Sequence, residues 1–510
     1  MKRILLILII ISGYLFAEPE GFCGTEGTMV NNSIPTNGTI KIYFIFAQFK
    51  NDDRDPSNTN WVKDTLPSWA PDFVNSSITG SYPYNNLSKF YNDMSDNNFN
   101  VVGEVYDQLV ITEKEESEYN SIGRVNREII EAIDSEVDFS EYDLLSGTTF
   151  AKDGFVDLIF IVYRNIDSLV GWSGYAQLIL DSLIVTDDID GITGDTLKIK
   201  GNTILTGGAV LRGGIEGKDY LTLTTAHELG HYLFGAGHID YISRLGIMSG
   251  GPAWNSGAGM HSWEKHHLGW LNYTDISPTS DSEITNIADY LDNNNAYRLQ
   301  LSSNEWFVIE NHQQANFFDK AGQTGDNPQS EKGVYIYHIR YPNSYPPNID
   351  VECADGNYDF SFNNQTYPNG KITRGAPNPD GEDEMSYDIL YNYYPNGRTD
   401  RLSCYKPLYD EDAVWGDDED AFDTTFNNVF SPKSNPPSTN TSNNDFSLEV
   451  TGDSNGVYTM KFYVIDPYAG SPSKPQGLSV ENETEIDFGD NYTATSQLEW
   501  FSNDEPDLDY

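Results

Sequence analysis

Basic residues are scarce in this 510-residue chain: 30 Lys and Arg stand against 78 Asp and Glu, a formal net charge of −48. A surface so acidic repels polyanions, which argues against nucleic acid or anionic lipid as a partner. Cysteine is also rare, and an odd complement of Cys23, Cys353 and Cys404 leaves one thiol outside any pairing. Long apolar runs are missing after the first residues, so no later stretch predicts a membrane span. Histidine occurs only eight times, which makes any ordered histidine spacing hard to dismiss as accident.

At the start, MKRILLILIIISGYLFA places Lys2 and Arg3 before an apolar stretch too short to span a bilayer. That pattern predicts a cleaved secretory signal over residues 1–17 and a short leader over 18–40. In an oxidising exterior, Cys353 and Cys404 form the economical disulfide pair, worth about 4 kcal/mol on the chain-entropy account. Export also suits the acidic surface, some of whose carboxylates are expected to hold a structural Ca²⁺. The candidate segments are 187–195, 409–423 and 451–456.

Mixed strand and helix signals up to residue 283 predict an α+β domain over 41–283, with KIYFIFAQF (41–49) and VDLIFIVY (156–163) as strands. NTILTGGAVLRGG (202–214) reads as a glycine-punctuated edge strand suited to accept an extended peptide. From 284 to 467 strands alternate with long polar loops, predicting a β-rich, sandwich-like domain. A proline-rich linker (468–476) leads to a segment (477–510) resembling the opening strands of a fibronectin type III module, with Trp500 as its buried tryptophan. Two or three strands cannot close a sandwich, so the chain is expected to be a fragment of a longer protein.

The chemistry concentrates in HELGHYLFGAGHID, residues 227–240. Residues four apart share a helix face, so His227 and His231 can direct imidazoles at one ion while Glu228 sits beside it as a base. A third histidine, His238, would lie roughly 10 Å further along a continuing helix, at about 1.5 Å per residue, so the helix must end and the chain return. Gly235 and Gly237 permit the return, and a π-bulge in YLF is expected to absorb the residue that separates this spacing from HExxHxxGxxH. His238 is the expected third ligand, with Asp240 and Glu264 as the alternatives. Met248, in LGIMSGG, falls where a methionine turn would lie beneath the metal. His261, His266 and His267 are expected to be surface residues.

The order of YFIFAQFKND, SKFYNDMSDNNFNVVGEVYD, VDLIFIVY, the HExxH helix, the Met248 turn, SWEKHHLGWL, EWFVIENHQQANFFDK and GVYIYHI resembles that of the immune inhibitor A family of secreted zinc metallopeptidases. The resemblance implies a zincin-like catalytic domain followed by a β-sandwich-like domain, endopeptidase activity on proteins, and often bound calcium. It carries zinc to His227 and His231, the base to Glu228 and the third-ligand position to His238, where family members often have aspartate. Cys23, in GFCGTEGT, is a candidate thiolate for zinc's open position as a latency switch. The competing reading is an inactive cell-surface or matrix-binding modular protein.

Overall fold

The computed structural model describes residues 33–354 and 421–467, apart from internal stretches that include 202–205, 214–216, 240–244, 249–258 and 321–331. It also describes the backbone of strands at 23–24, 360–366, 372–377, 476–487 and 492–501. The expected signal, Asp240, Cys353, Cys404, most of the 409–423 segment, the linker at 468–475 and the Trp500 side chain lie outside the described residues. The architecture is mixed α/β, with several sheets and few helices. No described helix is long and apolar enough to cross a membrane.

The first sheet contains β1 (Cys23–Gly24), β2 (Gly38–Gln48), β3 (Phe99–Val105), β4 (Val110–Ile111), β5 (Leu158–Tyr163), β6 (Gly174–Tyr175) and β7 (Gly207–Arg212). Its order is β1-β6-β7-β5-β2-β3, with β4 also on β2. The β7-β5-β2-β3 core is parallel, and β6 runs antiparallel to β7. Such a sheet is expected to be buried on both faces, hence the continuous apolar runs. Ile42, Phe44 and Phe46 pack on one side with α1 (Leu87–Met94) and α3 (Gly217–Phe234). Tyr43, Ile45 and Ala47 pack on the other with α2 (Ile122–Ile133), whose Val125, Ile129, Ile130 and Ile133 repeat at helical spacing.

The 202–214 segment is not the sheet edge. β7 lies between β5 and β6, and its glycines serve close packing: a Cβ on Gly207 would strike the Tyr232 ring, and Gly208 (φ +153°) lies against the Ile159 carbonyl. The sheet ends on that side with the backbone of β1, which pairs in parallel with the two-residue β6, Cys23 opposite Gly174.

Beyond α4 (Ser262–His267) the chain is β-rich. One sheet orders β8 (Thr274–Ile276), β10 (Tyr297–Ser302), β11 (Glu305–His312), β12 (Gly333–Arg340) and β13 (Asn348–Glu352). A second orders β9 (Ser282–Ile287), β16 (Tyr458–Tyr463), β15 (Ser447–Asp453) and β14 (Val429–Phe430). Phe307, Ile309 and Ile336 face the second sheet in a common core with Leu448, Met460 and Phe462. The alternate residues Trp306, Val308, Tyr335 and Tyr337 join the core that contains α3 and α4. Strand periodicity thus gives β11 and β12 two buried faces and packs the β-rich region directly behind the histidine helix. At the far end, 476–487 and 492–501 pair as an antiparallel hairpin.

Candidate metal centre

α3 is buried along its second half, with Ala226, Leu229, Leu233 and Phe234 in the core. It remains α-helical through Phe234, so the expected π-bulge is absent; the added residue lengthens the ordinary helix by one position. Gly235 then adopts φ +115°, a conformation that costs glycine little, and its N–H still donates to the His231 carbonyl at 2.9 Å. Gly237 contributes differently. Its φ is not positive; it is small because a Cβ would meet Pro346 Cδ at 3.0 Å.

The return brings His238 to the other two histidines. The rings of His227, His231 and His238 lie 4.9–5.2 Å apart between centroids, and one ligand nitrogen from each falls within 4.8 Å of the others. Backbone groups orient all three. His227 Nδ1 meets the Ile247 carbonyl at 2.6 Å and His231 Nδ1 meets the Gly235 carbonyl at 2.8 Å. A carbonyl only accepts, so each of these rings carries its proton on Nδ1 and keeps its lone pair on Nε2. Ile239 N–H donates to the Met248 carbonyl at 2.8 Å, which fixes the residue after His238. Met248 lies beneath the helix, where a Cβ at Gly230 would collide with its Sδ.

Burial sets the charge state. It pushes His227 well below the usual histidine range, His231 to about 3 and His238 to about 4, with mutual repulsion among the rings adding to the shift for the first two. At neutral pH the cluster is three neutral imidazoles, the form that binds metal. His238 Nε2 is buried without a hydrogen-bond partner. Such an atom costs about 1–3 kcal/mol if left so, and a cation accepting its lone pair removes the cost. Three imidazoles that leave a fourth position open fit Zn²⁺.

Glu228 is fully buried on the same helix, against β6: a Cβ on Gly174 would collide with Glu228 Oε1. Gly174 is a site residue that the sequence reading missed, because a two-residue strand has no periodicity to read.

Glu264 is not the third ligand. Its carboxylate accepts N–H groups from Met248 (2.7 Å), His261 (2.8 Å) and Ile247 (3.1 Å), so it holds the methionine turn. Burial raises its pKa to about 7 against the lowering effect of those donors. The signal for this role was the three-residue spacing from His261, a capping box at the start of α4.

Of the three histidines of α4 and its cap, expected at the surface, one is buried and two are half-buried. His261 is buried and accepts from Trp263 N–H; His266 packs on Tyr273 and His267 stacks on Trp263. The β-rich sheet covers them. Among the described residues the other metal-sized group is Asp134, Asp187 and Asp188, which touches the 187–195 candidate. Asp190 and Asp453 in the calcium candidates are occupied in turns, accepting from Ile192 and Thr193 and from Gly456.

No known family model and no curated protein matches the chain.

Proposed function

We propose that this chain is a secreted zinc-dependent endopeptidase with a zincin-like catalytic region, its metal held by His227, His231 and His238. The observation that carries the reading is the convergence of three neutral imidazoles, two from α3 and His238 from the return after it, with the buried Glu228 of α3 beside β6. Zinc bound there would act as a Lewis acid, lowering the pKa of a water to about 7 and stabilising the oxyanion.

The chain's own residues supply the rest. An extended substrate would lie along β6 in place of β1, where Gly174 lets main chain approach Glu228. Glu228 accepts the proton of the attacking water and passes it to the leaving amine. The backbone carbonyls of Ile247 and Gly235 hold two rings in the tautomer that presents Nε2. Structural Ca²⁺ and a fibronectin-like C-terminal module belong to the same proposal, as does latency through Cys23, whose backbone lies on the β6 edge.

The test is metal content together with casein digestion, in the parent and in Glu228→Gln. The reading expects one equivalent of zinc in both and turnover in the parent only. One equivalent of zinc with no protein cut under any activation regime would instead favour the modular binding protein.

A further inference from the structure

A cavity of about 240 Å³ opens beside the third histidine, with His238 as one wall and the loop following β12 as the other. It is smaller than the ~300–1,000 Å³ of small-molecule sites and is suited to a single side chain. The loop comes from the β-rich region, yet it is fastened to the helix region at several points. The Tyr345 hydroxyl donates to the Gly237 carbonyl, and Trp263 Nε1 donates to the Pro342 carbonyl at 2.9 Å. The Tyr345 ring stacks on Phe234, the last residue of α3, at 5.7 Å. Tyr341 N–H donates to the Asn304 carbonyl at 2.9 Å, and Ser344 N–H to the Tyr341 carbonyl at 2.9 Å. A wall tied at both ends is preorganised and need not be ordered by the ligand.

No lining residue is charged at neutral pH, the His238 imidazole included. Pro347 and Ile349 are buried and give it an apolar floor, Pro346 and Tyr341 give it exposed apolar sides, and Ser344 and Asn348, the latter accepting from Arg340 Nε at 3.2 Å, form an exposed polar rim. We infer that this cavity is a specificity pocket for an apolar side chain of a peptide substrate, and that residues 341–349 of the β-rich region are its selecting wall. The inference rests on the peptidase reading for its substrate class. Its geometric basis is separate: an occupant of the cavity touches His238, a ring of the three-histidine cluster. The β-rich region is then part of the substrate site, and its loop sets which bonds are cut.

Two exposed rim positions allow a test that spares the fold. Full-length chain carrying Glu228→Gln is titrated calorimetrically with peptides of one backbone bearing Leu or Glu at each position in turn. The pocket predicts a Leu preference of about tenfold or more at one position, the scale on which apolar pockets discriminate. Adding Asn348→Lys, or Ser344→Lys, should reduce or invert the preference at that position and leave the others unchanged. A Leu-to-Glu ratio near one at every position in the starting chain, or ratios that ignore both lysines, would overturn the pocket. Cleavage mapping of a peptide mixture by the chain with Glu228 intact separates the two readings. Cleavage whose side-chain preference ignores both lysines sinks the pocket and keeps the peptidase. A binding preference that follows the lysines without any cleavage keeps the pocket and sinks the peptidase.

Discussion

Two groups of buried histidine meet at α4, one neutral and the other built on a cation. In the first, His227, His231 and His238 meet one another and backbone carbonyls, and burial holds them neutral. In the second, His312 places Nδ1 on Asp319 and Nε2 on Glu310, both at 2.9 Å. Burial opposes its charge, but the two carboxylates prevail and raise it to about 10, while the adjacent histidines and Ser262 help to hold Glu310 near 2. Depth does not decide what a histidine does; the neighbour does. Without carboxylates a buried ring stays neutral and free to bind a metal, and between two of them His312 is a cationic strut.

α4 connects the two groups. Ser262 N–H donates to Glu310 at 2.9 Å, and Glu264, two residues on, holds the turn whose Ile247 carbonyl orients His227. α4 thus touches both groups, each fixed by its own carboxylate, Glu310 at the strut and Glu264 at the turn.

The sharpest way to separate the groups is to disable each in turn. Replacing Glu228 with Gln removes the proton acceptor and should lower turnover by roughly 10²–10⁴-fold, with zinc still at one equivalent. His231→Ala should lose the metal itself, so zinc content distinguishes the two variants. On the other side, Glu310→Gln leaves the His312 cation with one partner in a buried site and should cost about 3–5 kcal/mol of stability. Denaturant midpoints measure that loss, and zinc content of the protein that remains folded should be unchanged. If Glu310→Gln instead removes zinc from folded protein, the separation between ligand group and strut is wrong.

A smaller change probes the edge of the ligand group. Gly174→Ala adds one methyl where Glu228 Oε1 lies, and the carboxylate must move. Misplacement of a catalytic group by about 1 Å can cost about 10²-fold, so kcat should fall on that scale with little change in the unfolding midpoint. Parent-like kcat in Gly174→Ala would remove Glu228 from the position assigned to it.

The same contrast explains what could be read from sequence. HExxH is legible because helical periodicity alone places His227 and His231 on one face. The convergence of His238 was legible from Gly235, but the form of the return was not. A π-bulge and a longer α-helix fit the same letters, and the choice depends on how Phe234 and Tyr345 pack. β7 read as an edge because glycines weaken a strand pattern; in three dimensions they accommodate Tyr232 and Ile159. His261, His266 and His267 read as exposed because their cover comes from strands tens of residues later in the chain. Glu310 and His312 sit in WFVIENHQ as charged residues in an otherwise apolar strand, and that incongruity was the one available sign of a buried ion pair.

The gentlest test of the contrast is pH, because it changes the strut without a substitution. His312 is raised from 6.5 to about 10, so its contribution to stability is complete below pH 6.5 and is lost as pH rises through 10. Glu310 is lowered from 4.5 to about 2, so its contribution is complete above pH 4.5 and is lost as pH falls through 2. Both are intact together between pH 4.5 and 6.5. Glu264 is raised from 4.5 to about 7 by burial, so the contribution it makes below 4.5 fades as pH passes 7, in the same direction as His312. Unfolding midpoints should therefore fall from pH 6.5 to pH 8 in two steps, steeper up to 7 where Glu264 and His312 act together and gentler above it where His312 acts alone, before Lys265, lowered to about 8 by burial, opposes the loss. Glu264→Gln keeps the shape and removes the charge, so it should flatten the first step and spare the second. A midpoint that climbs over this range would mean that His312 is not a buried cation, and the opposition between the two histidine groups would collapse with it.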